Sequence, residues 1–147
     1  MPTETARQNA IKTHILKDPF VRKMGARFEV IKPGYSRVSL TVTENMANFH
    51  GMTHGGLIFA LADMAFAAAG NSHGQTAVAL NVNISFLKAS RPGDKLVAEA
   101  KEVQVGGRTA VYEITVREAD SGAIIACNQA TVYRKKEWFV EPAADDK

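Results

Sequence analysis

The chain has 147 residues, 46% of them hydrophobic and 22% charged, with a net charge of +3. That length suits one domain, here expected to span residues 1–147, and the composition excludes a disordered tail-like protein. No apolar run approaches a membrane span, the basic residues are too scattered for a nucleic-acid binder, and the mild positive excess fits a small phosphorylated ligand.

Residues 1–24 read as an N-terminal helical segment. Within it, Thr5 followed by Gln8 predicts a capping box that opens a helix over residues 5–16, and Pro19 breaks it. The same stretch scatters Glu4, Arg7 and Lys12 among few apolar positions, unlike a secretory signal, so a cytoplasmic protein is expected. The lone cysteine, Cys127, has no partner in the chain and suits a reducing compartment; its strand-like surroundings predict a buried small side chain. From residue 26 to 43 the pattern turns extended: Phe28 and Val30 alternate, Pro33-Gly34 supplies a turn, and Val38, Leu40 and Val42 alternate again, which predicts a hairpin.

Residues 46–56 form a loop rich in Asn, His and Gly. The run from Leu57 to Ala69 then combines strong helix propensity with apolar residues on nearly every face, so this helix must be enclosed by protein; Gly70-Asn71 stops it. Four extended stretches follow, the first with Val78, Leu80, Val82, Ile84 and Phe86 on one face. Turn signals at residues 91–94, 106–107 and 120–122 predict an antiparallel meander. Residues 137–147 are polar at their end and are expected to form a flexible tail, although Trp138 and Phe139 could cover an edge or a neighbouring subunit. The architecture is α+β, an antiparallel sheet wrapped around a central helix. Such a sheet leaves edges uncovered, which makes a homo-oligomer a physical expectation.

Asp63 is the only ionisable residue between Leu57 and Gly70, and its neighbours three and four positions away are Phe59, Ala60, Phe66 and Ala67. Burying a carboxylate there costs several kcal/mol unless it is paired or faces a wet cleft. Either a structural acid or a catalytic one satisfies that reading. His54-Gly55-Gly56 opens the same helix; the glycines let a ligand approach the backbone, and free amides at a helix start favour a developing negative charge, although an ordinary turn has the same look. Gly55 and Asp63 lie eight residues apart, roughly 12 Å along a helix, so both cannot reach one carbonyl within one chain. If they cooperate, two subunits share the site. His50 and His54 are separated by Gly51 with no acidic or cysteine ligand nearby, and no metal is expected.

Asn48, then His54-Gly55-Gly56, then Leu61-Ala62-Asp63, with the later stretch from Phe86 to Asp94, resemble the signature of hotdog-fold acyl-CoA thioesterases, in particular the phenylacetyl-CoA thioesterase (PaaI) branch. The resemblance runs from about Lys17 to Arg134. It implies a hotdog fold, hydrolysis of medium-chain or aryl acyl-CoA without a cofactor, and a tetramer built as a dimer of dimers. It also implies Asp63 as nucleophile or general base, the Gly55 amide with that of Gly56 polarising the carbonyl, and Asn48 and His54 orienting the carbonyl or water. Similar enzymes place a small polar group on the strand after the helix; Asn81 and Asn83 lie there, but Leu80 holds the matching position, and the role stays unassigned. Lys88, Arg91 and Arg108 are candidates for the CoA phosphates, and Phe66 for an acyl pocket whose alternative is the core. A hotdog dehydratase or hydratase with His54 as base, and a non-catalytic acyl-CoA-binding protein, are the alternative readings.

Overall fold

The computed structural model describes residues 3–143. Helix α1 (Glu4–Ile15) starts earlier than the capping box predicts: the cap is Thr3, whose hydroxyl accepts from the Ala6 amide, and Gln8 instead donates to the Glu4 side chain. Pro19 separates this helix from the next by opening α2 (Pro19–Lys23), a place where its missing N–H costs nothing; Asp18 caps the new helix by accepting from the Phe20 and Val21 amides. The expected hairpin forms as β1 (Arg27–Lys32) and β2 (Tyr35–Thr41), turned at Pro33 and at Gly34, whose φ of 72° needs a glycine. A single 3₁₀ turn (Glu44–Met46) follows, then α3 (Gly55–Gly70) and strands β3 (Gln75–Phe86), β4 (Lys95–Val105), β5 (Thr109–Glu118) and β6 (Ile124–Trp138).

All strands join one antiparallel sheet in the order β1-β2-β4-β5-β6-β3. The meander is therefore confined to β4, β5 and β6. Strand β3 pairs with β6 at the far edge, and residues 87–94 carry the chain back beneath the start of α3 to lie beside β2. That return is tied down by the Thr53 amide to the Ser90 carbonyl (2.9 Å), by the Ser90 and Thr53 hydroxyls (2.6 Å) and by the Val42 amide to the Asp94 carbonyl (2.9 Å).

Helix α3 crosses the sheet mainly over β2, β4 and β5, where Ala98 and Ala100 are small enough for close approach. Leu57, Leu61, Met64, Ala65 and Ala69 pack there against Val38, Leu40, Leu96, Ile114 and Val116. Two buried hydroxyls on this side are satisfied: the Ser36 hydroxyl donates to the Ala65 carbonyl, and Tyr112 donates to Glu102 (2.8 Å). The prediction that β3 buries one apolar face holds only in part. Val82 and Ile84 pack on the core, but Val78, Leu80 and Phe86 are 42%, 59% and 53% exposed: the register shifts between Ala79 and Asn81, which breaks the alternation so that Ala77 rather than Val78 is buried, and Phe86 ends the strand beside Gly55.

The C-terminal segment differs from expectation as well. Residues 137–143 are pinned: the Phe139 amide donates to the Gly74 carbonyl (3.0 Å), Phe139 stacks on His14 at 4.6 Å, and Arg7 donates to the Glu141 carbonyl (2.9 Å) and the His73 carbonyl (2.6 Å). The ring of Phe139 stacks on the imidazole of His14 on α1, a partner that the polar composition of the tail does not reveal. The remaining residues of the expected tail, 144–147, lie outside the described residues. Cys127 is half-buried rather than buried, since β6 turns that side of the strand away from the helix.

Candidate active site

The loop before α3 is built by Asn48. Its Oδ1 accepts from the His50 and Met52 amides (2.9 and 3.2 Å), and its own amide donates to the Met52 carbonyl at 2.7 Å. With Oδ1 committed to the backbone, the Nδ2 group remains as a donor to something outside the loop. His54 follows as the N-cap of α3, fixed through its own amide to the Met46 carbonyl at 2.8 Å.

The ring of His54 decides which glycine is free. Its Nδ1 accepts from the Gly56 amide at 2.8 Å, which removes that amide from any oxyanion site and assigns the proton of the neutral ring to Nε2. The amides of Leu57 and Ile58 are likewise engaged, both by the His54 carbonyl. Among the described residues, the Gly55 N–H has no acceptor. It opens on a cleft of about 290 Å³ lined by Asn48, Thr53, Ile58, Phe86 and Lys88, with the Phe86 ring lying over Gly55. A free amide at a helix start, with the helix dipole behind it, is a site for negative charge.

Two turns further on, Asp63 occupies the one strip of α3 that the sheet leaves open, shared with Gly56, Phe59 and Ala67. Its carboxylate has no hydrogen-bond or ion-pair partner among the described residues. The residue reaches solvent, yet the apolar surface around the carboxyl raises its pKa above the ordinary value, and the charge of Asp18 raises it further. Among the described residues, no hidden cation ties Asp63 down as a structural acid. An unpaired, partly desolvated carboxylate is poised to take a proton or attack an electrophile.

The other candidates are distributed unevenly. Lys88 lines the Gly55 cleft. Arg91 is exposed on the adjoining turn, where its amide donates to Asp94. Arg108 donates to the Tyr133 hydroxyl. Tyr133 lies eight residues along β6 from Ile125, the partner of Leu87 and Lys88, which is roughly 26 Å at strand spacing; within one chain Arg108 and Lys88 cannot hold the same phosphates. Phe66 is 2% exposed with its edge against Tyr112, a core residue that does not reach the open strip. Asn81 and Asn83 are exposed on the side of β3 opposite Val82 and Ile84. Sequence reasoning missed Asp18 altogether. It reads as a helix cap, and only the folding of α2 toward α3 makes it a neighbour of Asp63.

Residues 50–125 match the Thioesterase superfamily, a span covering half of the chain. A relative from Archaeoglobus fulgidus bearing only the general name of esterase is 43% identical over 130 residues, 88% of this chain and 84% of its own. The acyl-coenzyme A thioesterase PaaI of Escherichia coli is 40% identical over 99 residues, 67% of this chain and 71% of its own. The solved structure of the E. coli PaaI protein superposes with a TM-score of 0.86 at 31% identity over 90% of this chain and 96% of that one. A Streptococcus mutans protein solved bound to acetyl-CoA superposes at 0.72 with 28% identity, over 75% and 88% of the two chains. The six-stranded sheet around a central helix is the hotdog fold of these neighbours, and the chain belongs to the Thioesterase superfamily as a thioester hydrolase.

Proposed function

We propose that the protein hydrolyses aryl or medium-chain acyl-CoA thioesters to the free acid and CoA, at a site shared between two subunits of a cytoplasmic homo-oligomer. The observation that carries the reading is the unengaged Gly55 N–H at the start of α3, paired with an unpartnered carboxylate at Asp63.

The thioester carbonyl oxygen takes the Gly55 amide as its donor. Asp63 of the other subunit then acts in one of two ways. It attacks the carbonyl carbon to give an anhydride that water opens, or it removes a proton from the water that attacks. In both, negative charge collects on the carbonyl oxygen, the Gly55 amide and the helix dipole stabilise it, and the CoA thiolate leaves and is protonated. The Nδ2 group of Asn48 and the Nε2–H of His54 are donors for orienting the carbonyl or water. Lys88 faces the same cleft as a cation for the departing CoA, with Arg91 near it. These steps balance without a cofactor or metal.

The geometry of His54 weighs against the dehydratase reading, since Nδ1 is already an acceptor for Gly56 and Nε2 holds the proton in the neutral ring, which leaves no free base. A shared site needs a second copy. The exposed apolar residues of the β3 edge and the open strip of α3 support such pairing, and a dimer of dimers is the assembly we propose.

Steady-state release of CoA thiol from acetyl-, octanoyl- and phenylacetyl-CoA tests the reading. Turnover is expected on all three and is expected to be fastest on the last two. Tight binding without thiol release would instead assign a non-catalytic acyl-CoA-binding role.

A further inference from the structure

Beyond the Gly55 cleft, the chain carries a larger, solvent-open pocket of about 490 Å³ at the other half of α3. Its floor is Met64 and Ala67. Its outer wall comes from the N-terminal arm through Ile15 and Pro19, and the remainder from Phe28 of β1 and from Phe139. Ala67 lies one helical turn past Asp63 on the same open strip, with the two Cβ atoms about 6 Å apart at helical spacing.

We infer that this pocket receives the acyl group of the substrate, and that the N-terminal arm, clamped by the C-terminal segment, is the wall that sets acyl size. The inference rests on the thioesterase reading and extends it to a substrate class. Three observations carry it. The pocket continues the strip that bears the reacting carboxylate, and its lysine, Lys17, shares the lining with Asp18, whereas the Gly55 cleft holds Lys88 with no acidic residue in its lining and suits the CoA side. The lining is mostly aliphatic and aromatic. The size is right: at roughly 30 Å³ per heavy atom, the share of one water in the liquid, an acyl group of eight to ten atoms takes roughly half to three-fifths of the space, and an acetyl group leaves most of it empty.

The arm is fixed in place rather than loosely apposed. Arg7 ties α1 to the His73 and Glu141 carbonyls, and His14 stacks on Phe139. Asp18, at the junction of α1 and α2, also lines the pocket, and its charge is felt at Asp63, one residue before Met64 of the pocket floor.

The experiment compares kcat/KM for acetyl-, octanoyl- and phenylacetyl-CoA in the wild-type oligomer, in Ala67→Phe, which fills the floor, and in Ile15→Ala, which widens the wall. Ala67→Phe is expected to lower the octanoyl and phenylacetyl values by about tenfold or more beyond any change with acetyl-CoA; Ile15→Ala is expected to shift the preference toward longer chains. An equal change on all three substrates in Ala67→Phe, or an unaltered chain-length profile in either variant, overturns the inference while leaving the thioesterase reading intact. If the wild type releases thiol from none of them, that reading falls first, and calorimetry with octanoyl-CoA decides the pocket: binding weakened by Ala67→Phe retains it, and binding indifferent to Ala67→Phe, or absent, removes it.

Discussion

The two faces of α3 have nearly the same apolar composition and opposite fates. Toward β2, β4 and β5, Leu61, Ala65 and Ala69 are completely buried, and a side chain there can only fill space. Toward the open strip, Gly56, Phe59, Asp63 and Ala67 reach solvent within the single chain. Apolar residues on both sides say that both will be covered; they do not say by what. One face is covered by the chain's own sheet, and the other is open within the single chain, where the proposed function puts substrate and a second subunit. The lone acid lies on the second face.

Substitution at Asp63 gives the largest effect and the sharpest contrast. Asp63→Asn keeps the shape and removes the base or nucleophile, so turnover is expected to fall by roughly 100-fold to 10,000-fold. Folding should move the other way. Because burial raises the Asp63 pKa, the ionised form is the disfavoured one; at pH above that raised value the charge costs stability, and the cost disappears as pH falls and the carboxyl takes a proton. Chains carrying Asp63→Asn should therefore melt no lower than wild type at neutral pH, with the difference shrinking in acid. Near-normal turnover in a well-folded variant would remove Asp63 from the mechanism.

The inward face should answer with stability alone. Leu61 is fully buried two residues before Asp63, and Leu61→Ala is expected to cost about 2–5 kcal/mol in chemical denaturation. The protein that remains folded should keep most of its specific activity. A loss of activity without a loss of stability would mean that the two faces are not separable.

Much of this arrangement was legible in the residues. The hairpin of Phe28 and Val38, the central helix and the strand count follow from periodicity and turn chemistry, and Asp63 stands out as an acid without company. What could not be read depends on distant chain meeting distant chain. Strand order requires knowing that β3 goes to the far edge, and local pattern is silent on that. The choice of Gly55 over Gly56 depends on a His54 rotamer. Phe66 and Phe139 are equally aromatic, and only packing sends one to the core and the other to a pocket wall.

The choice between the two glycines can be tested by removing one N–H. Position 55 is the first residue of α3, where proline is well accepted, and His54 before it already has φ −62° and ψ 133°, the extended conformation that proline demands of its predecessor. A Cβ at Gly55 meets only the Phe86 ring, at an ordinary 3.5 Å. Gly55→Pro should thus fold while losing the oxyanion donor, with kcat down by about 100- to 1,000-fold. Mixed with Asp63→Asn chains under conditions of proven subunit exchange, it should recover part of the lost activity, because each hybrid pair retains one intact amide and one intact carboxylate. No recovery would place both groups in a single-chain site, against their separation along α3.

The smallest effect belongs to Asp18. Asn caps a helix about as well as Asp, so Asp18→Asn should keep the bonds to the Phe20 and Val21 amides and preserve α2. It removes one negative charge from the surroundings of Asp63, while His14 and Lys17 in the same pocket stay as they are. Burial is the larger cause of the raised Asp63 pKa and persists; the repulsion from Asp18 is the smaller cause and disappears. The acid limb of the kcat/KM profile should consequently move toward lower pH, yet remain above that of an ordinary carboxylate, and the displacement should be greatest at low ionic strength. An acid limb identical in the two proteins would mean that the charge of Asp18 does not reach Asp63, and the case for the arm as the outer wall of the acyl pocket would lose that support.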